Sequence, residues 1–452
     1  MDAISKFADH VIGIDYDNLP QNAVASAKTF ILDSLGVGLI GSDGPWVEEL
    51  IACQQQWGTG DDARVWSRGT RLPAPAAAMC NAYQIHNCEF DCVHEGAVVH
   101  PVTVVLPSVL AVAERMGGIT GQQLITAVAL GVDVACHLGV AATSGLRFFR
   151  PGTAGVFAGV TGISKLLGFD QPTLVNAYSI AYAQLCGTMQ SHTEGSMLLG
   201  MQIAFNARNA VVACDMAQAG LQGPKNVLEG EFGYFRLIET ENQLDKVLEV
   251  LGKTWRITEV AHKPFPSGRA THGVIDALSQ LMQSEEIPAS NIAGIDVYLP
   301  PLTHQLVGRP PLQKMDVNYA RLCIPYVAAR LLQNGYLSVR DFSAEALGSA
   351  DSLALAQRIN CHKVDNPDAN ALVPINVRVT LKDGEVLLQD VDIVYGNPEK
   401  PMSYDDQLEK FRRNTSSAAL PLSDEKTNML IEQVENLEGL SDLEILVDNL
   451  VA

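Results

Sequence analysis

The spacing of apolar residues changes twice along this 452-residue chain, which limits the folds it can adopt. Up to about residue 254, apolar residues recur at helical spacing, as in Asn22–Ile40 and Leu124–Val140. From about residue 255 to 398, alternating stretches typical of strands are mixed with helical ones. After residue 398 the helical spacing returns. The pattern predicts a mainly α protein with one helical domain, residues 1–254 with 399–452, and an inserted α+β domain, residues 255–398.

Local signals mark several element boundaries. Thr120 begins a capping-box pattern and predicts the start of a helix. In the middle of the chain, Ile292–Leu299 alternates as a strand, and Tyr319–Leu332 has the spacing of a helix. The dipeptide Asp383-Gly384 lies between two strand-like stretches and predicts a β-hairpin.

Composition limits the partners and the compartment. The net charge of −20 repels nucleic-acid phosphates, so we expect no nucleic-acid partner. The N-terminal residues lack the pattern of a secretory signal, and the apolar stretches are too short or too polar to span a membrane. Nine scattered cysteines fit reduced thiols in the cytoplasm. Because only 18% of the residues are charged, we expect extensive burial, including at a subunit interface.

The stretch from His86 to His100 is the densest in reactive groups. In the favoured interpretation, Asp91 orients His100, whose imidazole can transfer protons near neutral pH. The spacing fits no standard zinc motif, but a zinc site remains an alternative, with the ligands His86, Cys88, Cys92 and His94. A third interpretation is a capped helix end with solvated polar residues.

Two further stretches carry cations beside structural signals. Arg150 precedes a Pro-Gly turn with Thr153 that leads into a helix, whose N-terminus and adjacent arginine suit a carboxylate. Two prolines fix the backbone around Lys263 at the predicted domain boundary, where clefts form. We predict that these residues bind an anionic substrate, with further contacts from Ser267, Arg269 and His272. The alternatives are an arginine that shields aromatic residues and a solvated lysine.

Several motifs are missing from the sequence. The chain has no phosphate-binding loop, no dinucleotide glycine motif after a strand, no nucleophile elbow and no His-Glu-x-x-His motif. Redox and phosphoryl-transfer chemistry therefore lack support in the sequence, and we expect an enzyme without a cofactor or a metal.

In this order, the three stretches resemble the MmgE/PrpD family, and the resemblance covers nearly the whole chain. It rests on several short motifs, which are Phe90-Asp91 with His100-Pro101, Pro151-Gly152-Thr153, Ala207-Arg208-Asn209, Lys263-Pro264-Phe265-Pro266-Ser267 with His272, and Ile324-Pro325-Tyr326-Val327-Ala328. The resemblance implies a large all-helical domain formed by both chain ends, a smaller α+β lid domain inserted between them, a homodimer, and an active site between the domains.

The resemblance also implies site residues. Asp91, His100, Lys263 and Tyr326 fall on catalytic positions of the family. The chain departs from the family pattern at several places. Arg150 stands where the family has a histidine, Leu199 and Gln202 stand where it has a lysine and then a histidine, and Cys92-Val93-His94-Glu95 stands in place of an Asp-Thr pair. We keep Gln202 as a substrate-binding candidate.

Residue types and resemblance together predict a lyase or isomerase that acts on a small di- or tricarboxylate by removing a proton next to a carboxylate. A hydratase or dehydratase is favoured, with an epimerase or a decarboxylase as alternatives. His100 serves as general base or acid, Lys263 and Arg150 stabilise the developing negative charge, and Tyr326 donates a proton. A family member that binds a carboxylate without turning it over remains open.

Overall fold

The computed structural model describes residues 2–284 and 287–452. Helix predominates in this part of the chain, so the prediction of a mainly α protein is confirmed. The helices are α1 (Ala3–Gly13), α2 (Gln21–Gly41), α3 (Val47–Trp57), α4 (Ala74–His86), α5 (Val102–Met116), α6 (Gly121–Ala141), α7 (Arg150–Leu167), α8 (Gln171–Tyr182), α9 (Gln190–Glu194), α10 (Leu198–Gln218), α11 (Tyr234–Leu237), α12 (Leu244–Val250), α13 (His272–Ser284), α14 (Pro301–Val307), α15 (Val317–Arg321), α16 (Ile324–Asn334), α17 (Ala344–Leu347), α18 (Ala350–Ala356), α19 (Tyr404–Ser416), α20 (Asp424–Glu435) and α21 (Glu444–Asp448). The strands are β1 (Ala63–Arg64), β2 (Arg71–Leu72), β3 (Ile292–Leu299), β4 (Ile359–Lys363), β5 (Ile375–Leu381) and β6 (Val386–Val391).

The chain divides into two compact units. Unit 1 comprises Met1–Thr188, Gly200–Val260 and Ser403–Ala452, and unit 2 comprises Met189–Leu199 and Ala261–Met402. Unit 1 is therefore built from three separate stretches of sequence, including the C-terminal one. The arrangement of the middle domain as a lid stays a prediction.

The interior of unit 1 is formed by α5, α6 and α7, which pack against one another with almost every residue buried. Close approach requires small residues. A Cβ added at Gly131 of α6 would lie 2.7 Å from the carbonyl oxygen of Ala158 on α7, so only glycine fits there. The helix α6 begins at the predicted capping box, in which the Thr120 side chain accepts from the Gln123 amide and the Gln123 side chain accepts from the Thr120 amide.

Two helices of unit 1, α2 and α6, are long and apolar enough to cross a membrane by length and composition. Their most apolar windows are 78% and 94% buried within the protein, respectively. Core helices of soluble proteins pass the same test, so these two helices give only weak support for a membrane span.

Unit 2 contains a four-stranded sheet in the order β4-β3-β5-β6. The strand β3 has the predicted bounds, and β5 and β6 form the predicted antiparallel hairpin around Asp383-Gly384, where Gly384 has a φ of 93°. The strand β4, which pairs in parallel with β3, was not predicted from the sequence.

The single helix predicted at Tyr319–Leu332 is wrong, because the structure has two helices there, α15 and α16, separated at Leu322 and Cys323. Pro325 lies in the first turn of α16. Its ring would clash with the carbonyl group of Arg321 in a continuous helix, so the chain must start a new helix.

Candidate functional site

The reactive stretch forms a strained loop of unit 1 between α4 and α5. His86 is the last residue of α4, and His100 lies two residues before α5. Glu89 and Val98, one near each end of the loop, both have a φ of 52°. This conformation is a true outlier for a β-branched residue such as Val98 and costs roughly 1–3 kcal/mol. Backbone hydrogen bonds between His94 and Val99 hold the turn that contains Val98.

One carboxylate oxygen of Asp91 contacts several polar side chains around this loop. Asp91 Oδ2 accepts hydrogen bonds from His86 Nδ1 at 3.0 Å and from the Thr103 hydroxyl at 2.6 Å. His100 Nδ1 lies 3.0 Å from the same oxygen, within ion-pair distance. The structure therefore brings Asp91 and His100 together, as the acid–base interpretation of the sequence requires.

The charge of Asp91 favours one tautomer of His100. His100 Nδ1 lies 3.0 Å from Asp91 Oδ2, at ion-pair distance, so the negative charge favours the form that carries a proton on Nδ1. The neutral imidazole then has its lone pair on Nε2, and Asp91 stabilises the imidazolium after that nitrogen takes a second proton. This is the arrangement of a general base oriented by an acid.

Burial distinguishes the two histidines of this cluster. The side chains of Asp91 and His86 are 0% and 1% exposed, whereas that of His100 is 12% exposed. The two imidazole rings meet edge to face with 4.9 Å between their centroids. His86 therefore lies inside the cluster, and His100 is the member of the pair that is partly exposed to solvent.

His86, Asp91 and His100 could also hold a metal ion, since one ligand atom from each lies within 4.8 Å of the others. This group differs from the zinc ligands considered in the sequence, of which it contains only His86. His94 instead contacts Glu259 at 2.8 Å and accepts from the Ala97 amide. Within the group, a hydrogen bond joins His86 to Asp91, and His100 lies at ion-pair distance from the same oxygen.

Arg150 is the first residue of α7 and is fully buried in unit 1. Its guanidinium donates to both carboxylate oxygens of Glu239, at 2.7 and 3.1 Å, and to the carbonyl oxygens of Ala97 and Ser144. A substrate carboxylate would have to displace Glu239 to reach this cation. The substrate-binding role of Arg150 stays a prediction, and the contacts show what Arg150 does within the fold.

The other two substrate-binding candidates of unit 1 are also engaged in the fold. Thr153 shares a hydrogen bond of 3.2 Å with the hydroxyl of Tyr234. The amide of Gln202 accepts from the Thr188 backbone nitrogen at 2.8 Å and donates to the Thr188 carbonyl at 3.2 Å. Their roles toward a substrate stay predictions.

The predicted lysine loop belongs to unit 2, where all its candidate residues are buried. The Lys263 side chain is 0% exposed, which is rare for a lysine and typical of functional or paired lysines. Arg269 donates to the backbone carbonyls of His262 and Tyr395, and His272 lies 3.4 Å from the Arg269 guanidinium. The Ser267 hydroxyl bonds to that of Thr271 at 2.8 Å.

Tyr326, the fourth predicted catalytic residue, lies on α16 of unit 2 and is 1% exposed. Its hydroxyl donates to the carbonyl oxygen of Asp341 at 2.6 Å. Burial raises the pKa of Tyr326 to about 12, partly opposed by Arg330. The catalytic role stays a prediction, and it requires the hydroxyl to leave Asp341 before it can protonate a substrate.

A second buried charge cluster in unit 1 surrounds Asp133 on α6. Its carboxylate lies 3.0 Å from His10 Nε2 and 3.4 Å from His137 Nε2, and it accepts from the backbone nitrogen of Arg256. Burial alone would raise the pKa of Asp133, but hydrogen bonds from His10 and His137 outweigh it and lower the pKa to about 2. The Asp133 carboxyl group is therefore ionised in the core near neutral pH.

Sequence reasoning missed three residues that complete these contacts, namely His86 as a partner of Asp91, Thr103, and Glu239 as the partner of Arg150. The proximity of His86 and Thr103 to Asp91 in the sequence offered a signal. Glu239 is 89 residues from Arg150, and nothing in the sequence marks that distance.

The chain belongs to the MmgE/PrpD family. The sequence model of the MmgE/PrpD N-terminal domain matches residues 5–246, and that of the MmgE/PrpD C-terminal domain matches residues 265–437. The resemblance inferred from the short motifs is thus confirmed.

Similar proteins of known activity cover nearly the full chain. Cis-aconitate decarboxylase of Mus musculus is 29% identical over 460 residues, which cover 97% of this chain and 91% of the relative. The Homo sapiens protein of the same name is 29% identical, with 97% and 92% covered. Cis-aconitate decarboxylase of Aspergillus terreus is 27% identical, with 96% and 92% covered.

Proposed function

We propose that this protein is a lyase that adds water to, or removes it from, a small di- or tricarboxylate through proton transfer at the carbon next to a carboxylate. The observation that carries the proposal is the single oxygen of Asp91 that lies 3.0 Å from both His86 Nδ1 and His100 Nδ1. This oxygen orients the imidazole of His100, which is buried enough to act in a low dielectric and exposed enough to contact a substrate.

In the dehydration direction, His100 Nε2 takes the proton from the carbon next to the carboxylate. Asp91 stabilises the imidazolium that forms, because the negative charge lies beside Nδ1. The electrons of the broken C–H bond move toward the carboxylate, and the resulting dianion requires fixed cations. The C–O bond of the neighbouring carbon then breaks, and the leaving hydroxyl group takes the proton held by the His100 imidazolium, which gives water and a double bond and restores the neutral imidazole.

Lys263 is our candidate for the cation, on the strength of its complete burial and its position in the family motif. An ammonium group in a low-dielectric environment interacts strongly with a substrate carboxylate. The Lys263→Met variant should therefore raise KM and lower kcat together, whereas a purely structural lysine would change thermal stability and leave both constants near their original values.

Decarboxylation is the second candidate, and the names of the three relatives favour it. Loss of carbon dioxide also leaves a carbanion that an oriented imidazolium can protonate. We place it second because Leu199, an apolar residue, stands where the family has a lysine. Because this departure from the family removes a cation, the relatives' reaction is not carried over to this chain, although the dehydration dianion loses the same stabilisation.

A panel of di- and tricarboxylates incubated with the protein in deuterated water and followed by NMR tests the proposal. We expect deuterium to enter next to a carboxylate with gain or loss of water, and the His100→Gln variant to lose this activity by at least 100-fold. The His362→Gln variant is the matched control, because that histidine is half-exposed and pairs with Asp296 in unit 2. Release of carbon dioxide instead of water would select the second candidate. Absence of exchange and turnover across the panel would refute both.

The homodimer and the cytoplasmic location also stay proposals, together with the small anionic substrate as the partner. Sedimentation at micromolar concentration tests the first, and a monomer alone would contradict it.

A further inference from the structure

A buried lysine on helix α19 contacts the loop of the candidate site. Lys410 is 1% exposed, and the buried residues beside it on α19 are Phe411, Asn414 and Thr415. Burying an ammonium group is unfavourable unless charge and hydrogen bonds compensate it. The groups that Lys410 contacts therefore reveal why it is there.

The Lys410 ammonium contacts two residues that are far apart in the sequence, and all three residues belong to unit 1. It donates to Asp33 Oδ1 on α2 at 2.7 Å and to the carbonyl oxygen of Phe90 at 3.1 Å. It also lies 4.1 Å from the centroid of the Phe90 ring, at the distance of a cation–π contact. Lys410 thus holds Phe90 by both its backbone and its side chain.

Phe90 directly precedes Asp91, and the same peptide unit contains the Phe90 carbonyl and the Asp91 nitrogen. A bond to that carbonyl fixes the plane from which the Asp91 side chain projects. The preceding residue, Glu89, has a φ of 52°, so the loop at this point is held in an unfavourable conformation. Such a backbone persists only when surrounding contacts determine it, and Lys410 provides one.

The pKa of the buried Cys92 thiol depends on the same charged groups. Burial raises the pKa of Cys92 well above its ordinary value, the charges of Asp33 and Asp91 raise it further, and that of Lys410 lowers it. The ion pair of Lys410 and Asp33 and the carboxylate of Asp91 therefore lie around one side chain of the loop, close enough to interact electrostatically.

We propose that Lys410, compensated by Asp33, is a positioning residue that holds Asp91 in register with His86 and His100 through the Phe90 carbonyl. It does not contact the reacting atoms. The inference rests on the proposed function for its effect on turnover, but the placement of Asp91 is independent of that function.

The test uses the full-length double variant Lys410→Met/Asp33→Asn, because Lys410→Met alone leaves a buried carboxylate without its cation and can fail to fold. The first readout needs no substrate. In protein labelled with ¹⁵N-histidine, the low-field imidazole N–H signals of His86 and His100, assigned with His86→Gln and His100→Gln variants, report their contacts with Asp91. We expect these signals to weaken or exchange faster with water in the double variant.

The second readout is kinetic. We expect kcat of the double variant to fall about tenfold with KM changed less than threefold, and Lys410→Arg to recover part of the loss because it keeps a charged donor. Glu409→Gln is the control, since that residue lies next to Lys410 on α19 with an exposed side chain. Unchanged imidazole signals in a folded double variant, with or without a lower melting temperature, would overturn the proposal. Altered signals in a protein without turnover on any acid would support the positioning role and refute the proposed function.

Discussion

The Thr103 hydroxyl donates to Asp91 Oδ2 over 2.6 Å, and the same oxygen lies 3.0 Å from His100 Nδ1. Thr103 is in the first turn of α5, so a helix holds the acid of the candidate pair in place. Hydrogen bonds to an ionised carboxylate are short and about twice as strong as neutral ones.

Replacement of Thr103 by Val keeps the shape of the side chain and removes this bond. We expect kcat/KM to fall roughly tenfold, which corresponds to about 1.4 kcal/mol, because Asp91 is less well oriented. Steady-state kinetics on the substrate found in the panel measures the effect. Thr126→Val is the control, since the Thr126 hydroxyl bonds only within its own helix, to the Gln122 carbonyl. Equal losses in both variants would show that any buried hydroxyl has this effect.

The ion pair of Arg150 and Glu239 leads to a prediction about stability. The Glu239→Gln variant leaves the buried guanidinium with a neutral partner, and we expect the free energy of unfolding to fall by about 3–5 kcal/mol. The Arg150→Met/Glu239→Gln double variant should be more stable than either single variant. Urea unfolding measures all three. If Arg150→Met instead abolishes turnover and leaves stability unchanged, Arg150 binds the substrate as the sequence suggested.

The cluster around Asp133 predicts how stability depends on pH. The folded-state pKa of about 2 lies below the ordinary 3.8, so the ionised form stabilises the fold above about pH 4, and this contribution is lost as the pH falls toward 2. The shift corresponds to about 2 kcal/mol. We expect Asp133→Asn to be less stable than the parent protein near neutral pH and the difference to narrow from pH 4 to pH 2. A difference that stays constant over this range would contradict the assigned pKa.

The Tyr326→Phe variant distinguishes a structural role of the Tyr326 hydroxyl from a role as proton donor. Because the hydroxyl is bonded to the Asp341 carbonyl and its pKa is raised to about 12, we expect the variant to lose about 1 kcal/mol of stability and to keep kcat within threefold. Thermal unfolding and steady-state kinetics on the same preparation distinguish the structural role from the catalytic role. A loss of 100-fold or more in kcat would establish Tyr326 as the proton donor predicted from the family motif.

The sequence predicted the elements whose signals are local. The capping box at Thr120 and the hairpin at Asp383-Gly384 depend on residues within a few positions of each other, and both are present. The strand β4 was missed because its burial does not alternate over enough residues to show a period. It is defined by pairing with β3, more than 60 residues away in the sequence.

In the candidate site, too, local features could be predicted from the sequence and long-range contacts could not. Asp91 and His100 are nine residues apart, and the density of reactive groups between His86 and His100 was enough to find them. The roles of Glu239 and Lys410 could not be predicted, because their partners lie 89 and 377 residues away. Neither Lys410 on a helix nor Glu239 in a loop differs in sequence from a surface residue, because only the fold brings its partner close.

The contact between Asp33 and Lys410 also has a consequence for how the protein is made. During synthesis on the ribosome, α2 emerges long before α19, and all of unit 2 is translated between them. The Asp33 carboxylate therefore lacks its cation until α19 has been synthesised. Such long-range closure slows folding and exposes apolar helices to aggregation in the meantime. We therefore expect the nascent chain to depend on chaperones until α19 has been synthesised.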